Sequence, residues 1–214
     1  MRRILLFILA LPLAAQAWDL RLEVPFPKGQ NLPKTLIAGT DQLISGDLDT
    51  GQGGIFSVNH RLLRFGPILR IEWGAEISRW SADGNIFIAN SNRANSSLVQ
   101  SGVGLGLNAQ FWIPFTGISV EMGVIQRIQR YEFSSDSAES NGTIGRTWLR
   151  AGMRYRLPFV PIIHPYIAAS YQQPINNSQP VNVDSVQDIV DCFKIQGKGQ
   201  EFHRMWTFGA GITF

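Results

Sequence analysis

The segment Thr207-Phe-Gly-Ala-Gly-Ile-Thr-Phe214 decides how the rest of the chain is read. Phe208, Ala210, Ile212 and Phe214 alternate with Thr207, Gly209, Gly211 and Thr213, which gives a β-strand with one apolar and one polar face. Trp206 and Met205 carry the alternation one step further upstream. A strand of this kind buries only half of itself, so the rest of the chain must supply partners with the same period.

It does. Trp18, Leu20, Leu22, Val24 and Phe26 alternate with Asp19, Arg21 and Glu23 in a first strand. A second sets Phe56, Val58 and Leu62 against Ser57, Asn59 and Arg61. In a third, Leu69, Ile71, Trp73, Ala75 and Ile77 oppose Arg70, Glu72, Gly74 and Glu76. The fourth places Val99, Val103, Leu105, Leu107, Ala109, Phe111 and Ile113 opposite Gln100, Gly102, Gly104, Gly106, Asn108 and Gln110. Ile118, Val120, Met122 and Val124 oppose Ser119, Glu121, Gly123 and Arg127 in the fifth. Leu149, Ala151, Met153, Tyr155 and Leu157 oppose Arg146, Trp148, Arg150, Arg154 and Arg156 in the sixth. Ile163, Ile167, Ala169 and Tyr171 mark a seventh, and the terminal segment is the eighth.

The connections alternate in length. Short turns are expected at Phe65-Gly-Pro67, Pro114-Phe-Thr-Gly117 and Pro158 to Pro161. Long polar loops are expected after the first strand, over about 26 residues, and at Ala82 to Ser97, Ser134 to Gly142 and Gln173 to Glu201. Eight antiparallel strands with three short turns at one end and four long loops at the other predict an eight-stranded antiparallel up-and-down transmembrane β-barrel. Alternation alone leaves the inside undecided, because a soluble barrel would turn the apolar face inward and show the same pattern. The aromatic residues Trp18, Phe26, Phe65, Trp80, Phe111, Trp112, Tyr155 and Phe214, near strand ends, favour interfacial girdles and hence a membrane.

At the other end of the chain, Arg2 and Arg3 precede the apolar stretch Ile4 to Ala15, and Ala15-Gln-Ala17 supplies a cleavage site. Residues 1–17 therefore read as a removable export signal, and the barrel domain as 18–214. No other segment approaches the roughly 20 apolar residues of a membrane-spanning helix. Without the first 17 of its 214 residues the chain keeps 17 of 19 basic residues against 16 acidic ones, a near-neutral balance that excludes a nucleic-acid footprint. Cys192 is alone, so no disulfide framework is available.

The last eight residues, Thr207, Gly209, Ile212 and Phe214 above all, resemble the assembly signal of bacterial outer-membrane barrels. By architecture the mature chain resembles the small eight-stranded outer-membrane proteins of the OmpA, OmpX and OmpW type. The resemblance implies a porin-like fold in the outer membrane of a Gram-negative cell envelope, contacts with outer-membrane lipid and lipopolysaccharide, passage through the barrel-assembly machinery, and a monomer. A charged interior departs from the OmpW type, whose lumen suits apolar cargo.

With the apolar faces toward lipid, Asp19, Arg21, Glu23, Arg70, Glu72, Glu76, Glu121, Arg127, Arg146, Arg150, Arg154 and Arg156 point inward. A salt-bridge network is the expected outcome, because buried ions must be paired. The competing expectation is a filter. Arg146, Arg150 and Arg154 share one face of one strand, and Gly102, Gly104 and Gly106 leave space beside them, either for an anion passage or for the long Arg side chains. His60, His164 and His203 are scattered with no adjacent nucleophile, so no catalytic residues are assigned. His60, a polar residue, falls on the apolar phase of its strand, as a bulge or an interfacial position would explain. No metal-ligand spacing and no cofactor motif is present, since Gly102-Val-Gly-Leu-Gly106 has the wrong spacing for a dinucleotide fingerprint. Function is then expected on the loops: a short amphipathic helix around Val186, Ile189, Val190 and Phe193, packing with Leu36, Ile37, Leu43 and Ile44, and rim cations Arg79, Arg93, Arg130 and Lys198 facing lipopolysaccharide phosphates. The expected role is structural, envelope-stabilising or surface-binding, with a narrow channel for a small anionic solute as the alternative and an envelope-lipid enzyme third.

Overall fold

The computed structural model describes residues 18–27, 30–36, 43–48, 52–88, 93–135, 138–158, 163–175 and 204–214. Residues 1–17, expected as an export signal, and 176–203, which hold most of the loop expected at Gln173 to Glu201 with its helix, Cys192, Lys198 and His203, lie outside the described residues. Ten strands run in chain order: β1 Trp18–Pro27, β2 Gln30–Leu36, β3 Leu43–Leu48, β4 Gln52–Phe65, β5 Leu69–Ile88, β6 Arg93–Trp112, β7 Ile118–Ser135, β8 Ala138–Arg156, β9 His164–Pro174 and β10 Met205–Thr213. Eight of them form the wall. β5, β4, β1, β10, β9, β8, β7 and β6 are hydrogen-bonded neighbours in that order, and the pairing of β5 with β6 closes the ring. Every pairing is antiparallel. Closure leaves no unpaired sheet edge, which is the condition for a strand-built wall in hydrocarbon.

The burial pattern decides which face is inside. Leu22, Ile77, Leu105, Met122, Ile128 and Phe208 are each more than half exposed, while Arg21, Glu23, Glu121 and Arg127 are buried. The apolar face therefore looks outward along the wall, and the soluble-barrel reading is overturned. An outward belt of this kind is the lipid surface of an outer-membrane barrel, and the fold places the chain in that membrane. The chain ends and the turns after β4, β6 and β8 share one mouth, the periplasmic one by the rule for such barrels. Two of these turns need left-handed backbone: Gly66 has φ 59°, and Phe115 and Gly117 have φ 67° and 70°. Phe115 adopts it without glycine's freedom and stands fully exposed at the tip of its turn.

The outer side corrects the loop expectations. A membrane strand needs about 9–11 residues, yet β5, β6, β7 and β8 have 20, 20, 18 and 19. Of the segments expected as loops at Ala82 to Ser97 and Ser134 to Gly142, the described residues 82–88, 93–97, 134–135 and 138–142 are paired strand: Asn85 is opposite Asn95, and Glu132 is opposite Asn141. The first loop likewise contains the β2–β3 hairpin, whose β3 pairs with the upper part of β5. Gln30 faces Leu48 in the same register that puts Glu23 opposite Ile55, so β2 and β3 prolong the β1–β4 hairpin outward. Ser, Asn and Asp lose apolar alternation beyond the bilayer without losing backbone pairing, which is why their composition reads as loop. Ile163, expected in the seventh strand, lies just before β9 and is partly exposed.

Candidate functional site

The interior is filled in layers, as an eight-stranded barrel permits. Its centre is an ion-pair plug. Arg21 grips Glu121 with both terminal nitrogens, at 2.8 and 2.5 Å, the fork geometry that makes Arg–carboxylate pairs strong. Arg154 donates to the same carboxylate at 2.5 Å and reaches Asp19 at 3.0 Å and Glu72 at 3.5 Å. Arg150 bridges Glu23 and Glu76, each at 3.2 Å, and Arg127 donates to Glu76 and, at 2.5 Å, to Gln172. These residues come from β1, β5, β7, β8 and β9, so the plug ties strands on opposite sides of the wall.

Neutral donors complete it. Thr207 and Ser170 donate to Glu23 at 2.7 and 3.3 Å. Asn59, Tyr166 and Thr213 donate to Asp19 at 3.1, 2.8 and 3.0 Å. Tyr166 also receives a hydrogen bond from Arg21, and the guanidinium groups of Arg21 and Arg154 lie 5.7 and 5.0 Å from its ring. Burial on this scale is tolerable only because each charge has an opposite partner and further hydrogen bonds.

Toward the outside the plug is capped by an apolar layer of Ile55, Ile125, Trp148 and Met205, with Arg127 stacked 4.7 Å from the Trp148 ring. The inward phase is thus not wholly polar.

The expected interior set divides. Arg21, Glu23, Glu72, Glu76, Glu121, Arg127, Arg150 and Arg154 meet in the plug. Arg146 is inward and buried, directly opposite Arg127 on the neighbouring strand, but its two terminal nitrogens have no hydrogen-bond partner. Arg70 is outside the plug and lies nearer the periplasmic mouth, 5.0 Å from the Trp112 ring. Of the assembly-signal residues, Thr207 and Gly209 face the plug, and a side chain at Gly209 would meet the Glu23 side chain and the Leu22 carbonyl. Ile212 lies on the outer phase, and Phe214 donates its backbone N–H to the Trp18 carbonyl at 2.9 Å, beside the β1–β10 pairing.

The space left by the strand-β6 glycines is occupied. A Cβ at Gly104 would stand 2.9 to 3.1 Å from the Glu76 and Arg127 side chains, and at Gly102 and Gly106 it would meet Gln129 and Ile125. The glycines seat the plug's long side chains, and the passage reading loses its opening. Two girdle residues are also reassigned: Trp80 is buried inside and Trp112 lines the periplasmic mouth, whereas Trp18, Phe26, Phe65, Phe111 and Tyr155 are exposed on the wall. His60 is outward, with its ring 4.7 Å from Trp18 and 6.2 Å from Trp73, an aromatic interfacial cluster. At the outer rim, Arg130 is exposed and pairs with Glu132 at 3.0 Å, and Arg79 is exposed. No cluster that could hold a metal exists among the described residues.

Sequence reasoning missed Tyr166, Ser170 and Gln172 on β9 and Asn59 as plug members. The signal was present for β9, since Ile167, Ala169 and Tyr171 fix the outer phase and leave 166, 168, 170 and 172 inside.

No family matches the sequence, and no curated protein does. Among solved structures the chain is similar to Ail, the attachment invasion locus protein of Yersinia pestis, at 13% identity over 92% of this chain and 99% of that one, with a TM-score of 0.46. Neisserial surface protein A matches at 11% identity over 92% and 97%, with the same TM-score of 0.46. The outer membrane protease OmpT of Escherichia coli matches at 9% identity over 92% and 91%, with a TM-score of 0.39. Likeness at this level says nothing about function; the barrel assignment rests on the closed, outwardly apolar sheet itself.

Proposed function

We propose that the chain is a non-enzymatic outer-membrane barrel, closed to solutes, that holds its external strand extensions as a structural, envelope-stabilising or surface-binding platform. The observation that carries this reading is the plug. Glu121, Arg21 and Arg154 are 0%, 1% and 3% exposed, and the Glu121 carboxylate accepts from both arginines across the lumen. A solute would have to break several charge pairs at once. The alternative of a narrow anion channel has weaker support, because Arg150 and Arg154 are already neutralised and the glycine space is filled. Among the described residues no nucleophile beside a base supports an envelope-lipid enzyme: His60 packs between two tryptophans and His164 borders the periplasmic mouth.

A rigid wall prolonged well beyond the bilayer favours recognition at its tips. Outer-membrane lipid and lipopolysaccharide are the partners that fit the belt and the exposed cations Arg79 and Arg130, with the barrel-assembly machinery acting on the terminal strand. The test is to replace residues 83–97 by a short turn. The trimmed barrel is expected to keep the heat-dependent gel mobility of a folded barrel yet fail to restore detergent resistance to cells lacking the protein. Full restoration would remove the surface role. Lipid A composition is expected to be the same with and without the protein, and a change would favour the enzyme.

A further inference from the structure

The periplasmic mouth holds a second arginine cluster, which meets the plug at Arg154. A cavity of about 150 Å³ is lined by Arg61, Arg64, Arg70, Trp112, Arg154 and Arg156, with Gln110, His164, Tyr166, Thr213 and Phe214 completing its wall. No Asp or Glu is among these residues; Glu72, opposite Arg61 on β5, belongs to the plug, where Arg154 reaches it at 3.5 Å. A β-bulge between Arg61 and Leu63 creates the cluster. Before it the inward positions of β4 are odd, Ser57 and Asn59; Leu62 and Leu63 then both face out, and the phase shifts so that Arg64 lies opposite Arg70. Without the bulge Arg64 would face lipid. Bulges re-aim side chains in this way, at some loss of ladder pairing.

The result is unfavourable for an empty site. Like charges directly opposite across a strand pair are destabilising, and Arg64 and Arg70 are so placed. Arg70 and Arg156 both lie over Trp112, at 5.0 and 5.9 Å, so one indole holds two cations near each other. Two enclosed donors, Arg70 Nε and Trp112 Nε1, have no hydrogen-bond partner. Converging guanidinium groups with unused donors in a small cavity are the requirements of an oxyanion site. The cavity is smaller than the about 300–1,000 Å³ of drug-sized ligand sites, which limits the ligand to a small group.

We propose that the periplasmic mouth binds a small phosphate-type oxyanion between Arg64, Arg70 and Arg156, with Trp112 as a further donor. The site opens on the periplasm and ends at Arg154, the lower member of the plug, so it binds without conducting. Its ligand is either a free periplasmic phosphate or the phosphate of a lipid headgroup.

The probe is pyrophosphate, titrated calorimetrically into the full mature chain in a phosphate-free glucoside detergent, against sodium chloride of equal ionic strength. Saturable one-to-one binding is expected, weakened at least tenfold in Arg64→Gln and in Trp112→Phe, and unchanged in the surface control Arg130→Gln. Without anion, Arg64→Gln is expected to unfold at a higher temperature than the parent, and pyrophosphate to raise the midpoint of the parent alone. Absence of binding, equal binding by both variants, or reproduction of the effect by chloride would overturn the site. In vesicles, phosphatidylglycerol that competes with pyrophosphate assigns the site to a headgroup, and failure to compete assigns it to a free anion.

Discussion

The middle of the barrel and its periplasmic mouth use the same side chain in opposite circumstances. In the middle, Arg21, Arg127, Arg150 and Arg154 each face a carboxylate supplied by another strand. At the mouth, Arg64 faces Arg70, and Arg156 shares an indole with Arg70. The difference teaches that interior charge has no single meaning in such a barrel. Paired charge closes the lumen, and unpaired charge marks a place that is incomplete by itself.

Substitutions separate the two cases, and the largest effect belongs to Glu121→Ala. It removes the carboxylate that Arg21 and Arg154 share, leaving them the longer contacts to Glu23, Asp19 and Glu72, and breaking a buried pair from one side costs about 3–5 kcal/mol. Urea unfolding of the reconstituted barrel measures it, and a loss below about 1 kcal/mol would mean that water already reaches these groups. Leu22→Arg on the outer belt is expected to cost about 2–4 kcal/mol in bilayers if Leu22 lies near the midplane depth, and a neutral result would place that face away from lipid. Next comes Gly104→Val, which forces Glu76 and Arg127 aside; overpacking of this kind costs about 1–3 kcal/mol. The smallest effect is expected of Arg146→Gln. Its two terminal nitrogens have no hydrogen-bond partner and it sits opposite Arg127, so stability should change by less than about 1 kcal/mol or rise. Arg150→Gln, two periods of the alternation away, should lose several times more by the same urea assay.

Much of the fold was legible because period two is a direct record of a wall with lipid on one side. The eight wall strands, their phase and the short turns all followed from residues such as Leu69 to Ile77 against Arg70 to Glu76. Direction was not legible, since alternation is the same for a barrel turned inside out. The outer extensions were not legible either, because Asn85 and Asn95 pair through their backbones and carry no apolar mark. For the site, the type of each inward residue was readable and its partner was not. Which Arg meets which Glu depends on stagger around the barrel, which brings Arg21 to Glu121 from strands separated by 100 positions in sequence. The bulge after Arg61 showed only as two adjacent leucines, and its consequence, Arg64 turned inward, needed the register.

The central claim is that paired charge closes the lumen, and single-channel recording tests it most directly. The refolded mature chain, inserted in planar bilayers, is expected to be electrically silent, with discrete steps appearing in the Glu121→Ala barrel, whose plug is broken. Sustained conductance steps from the unaltered chain would contradict the claim.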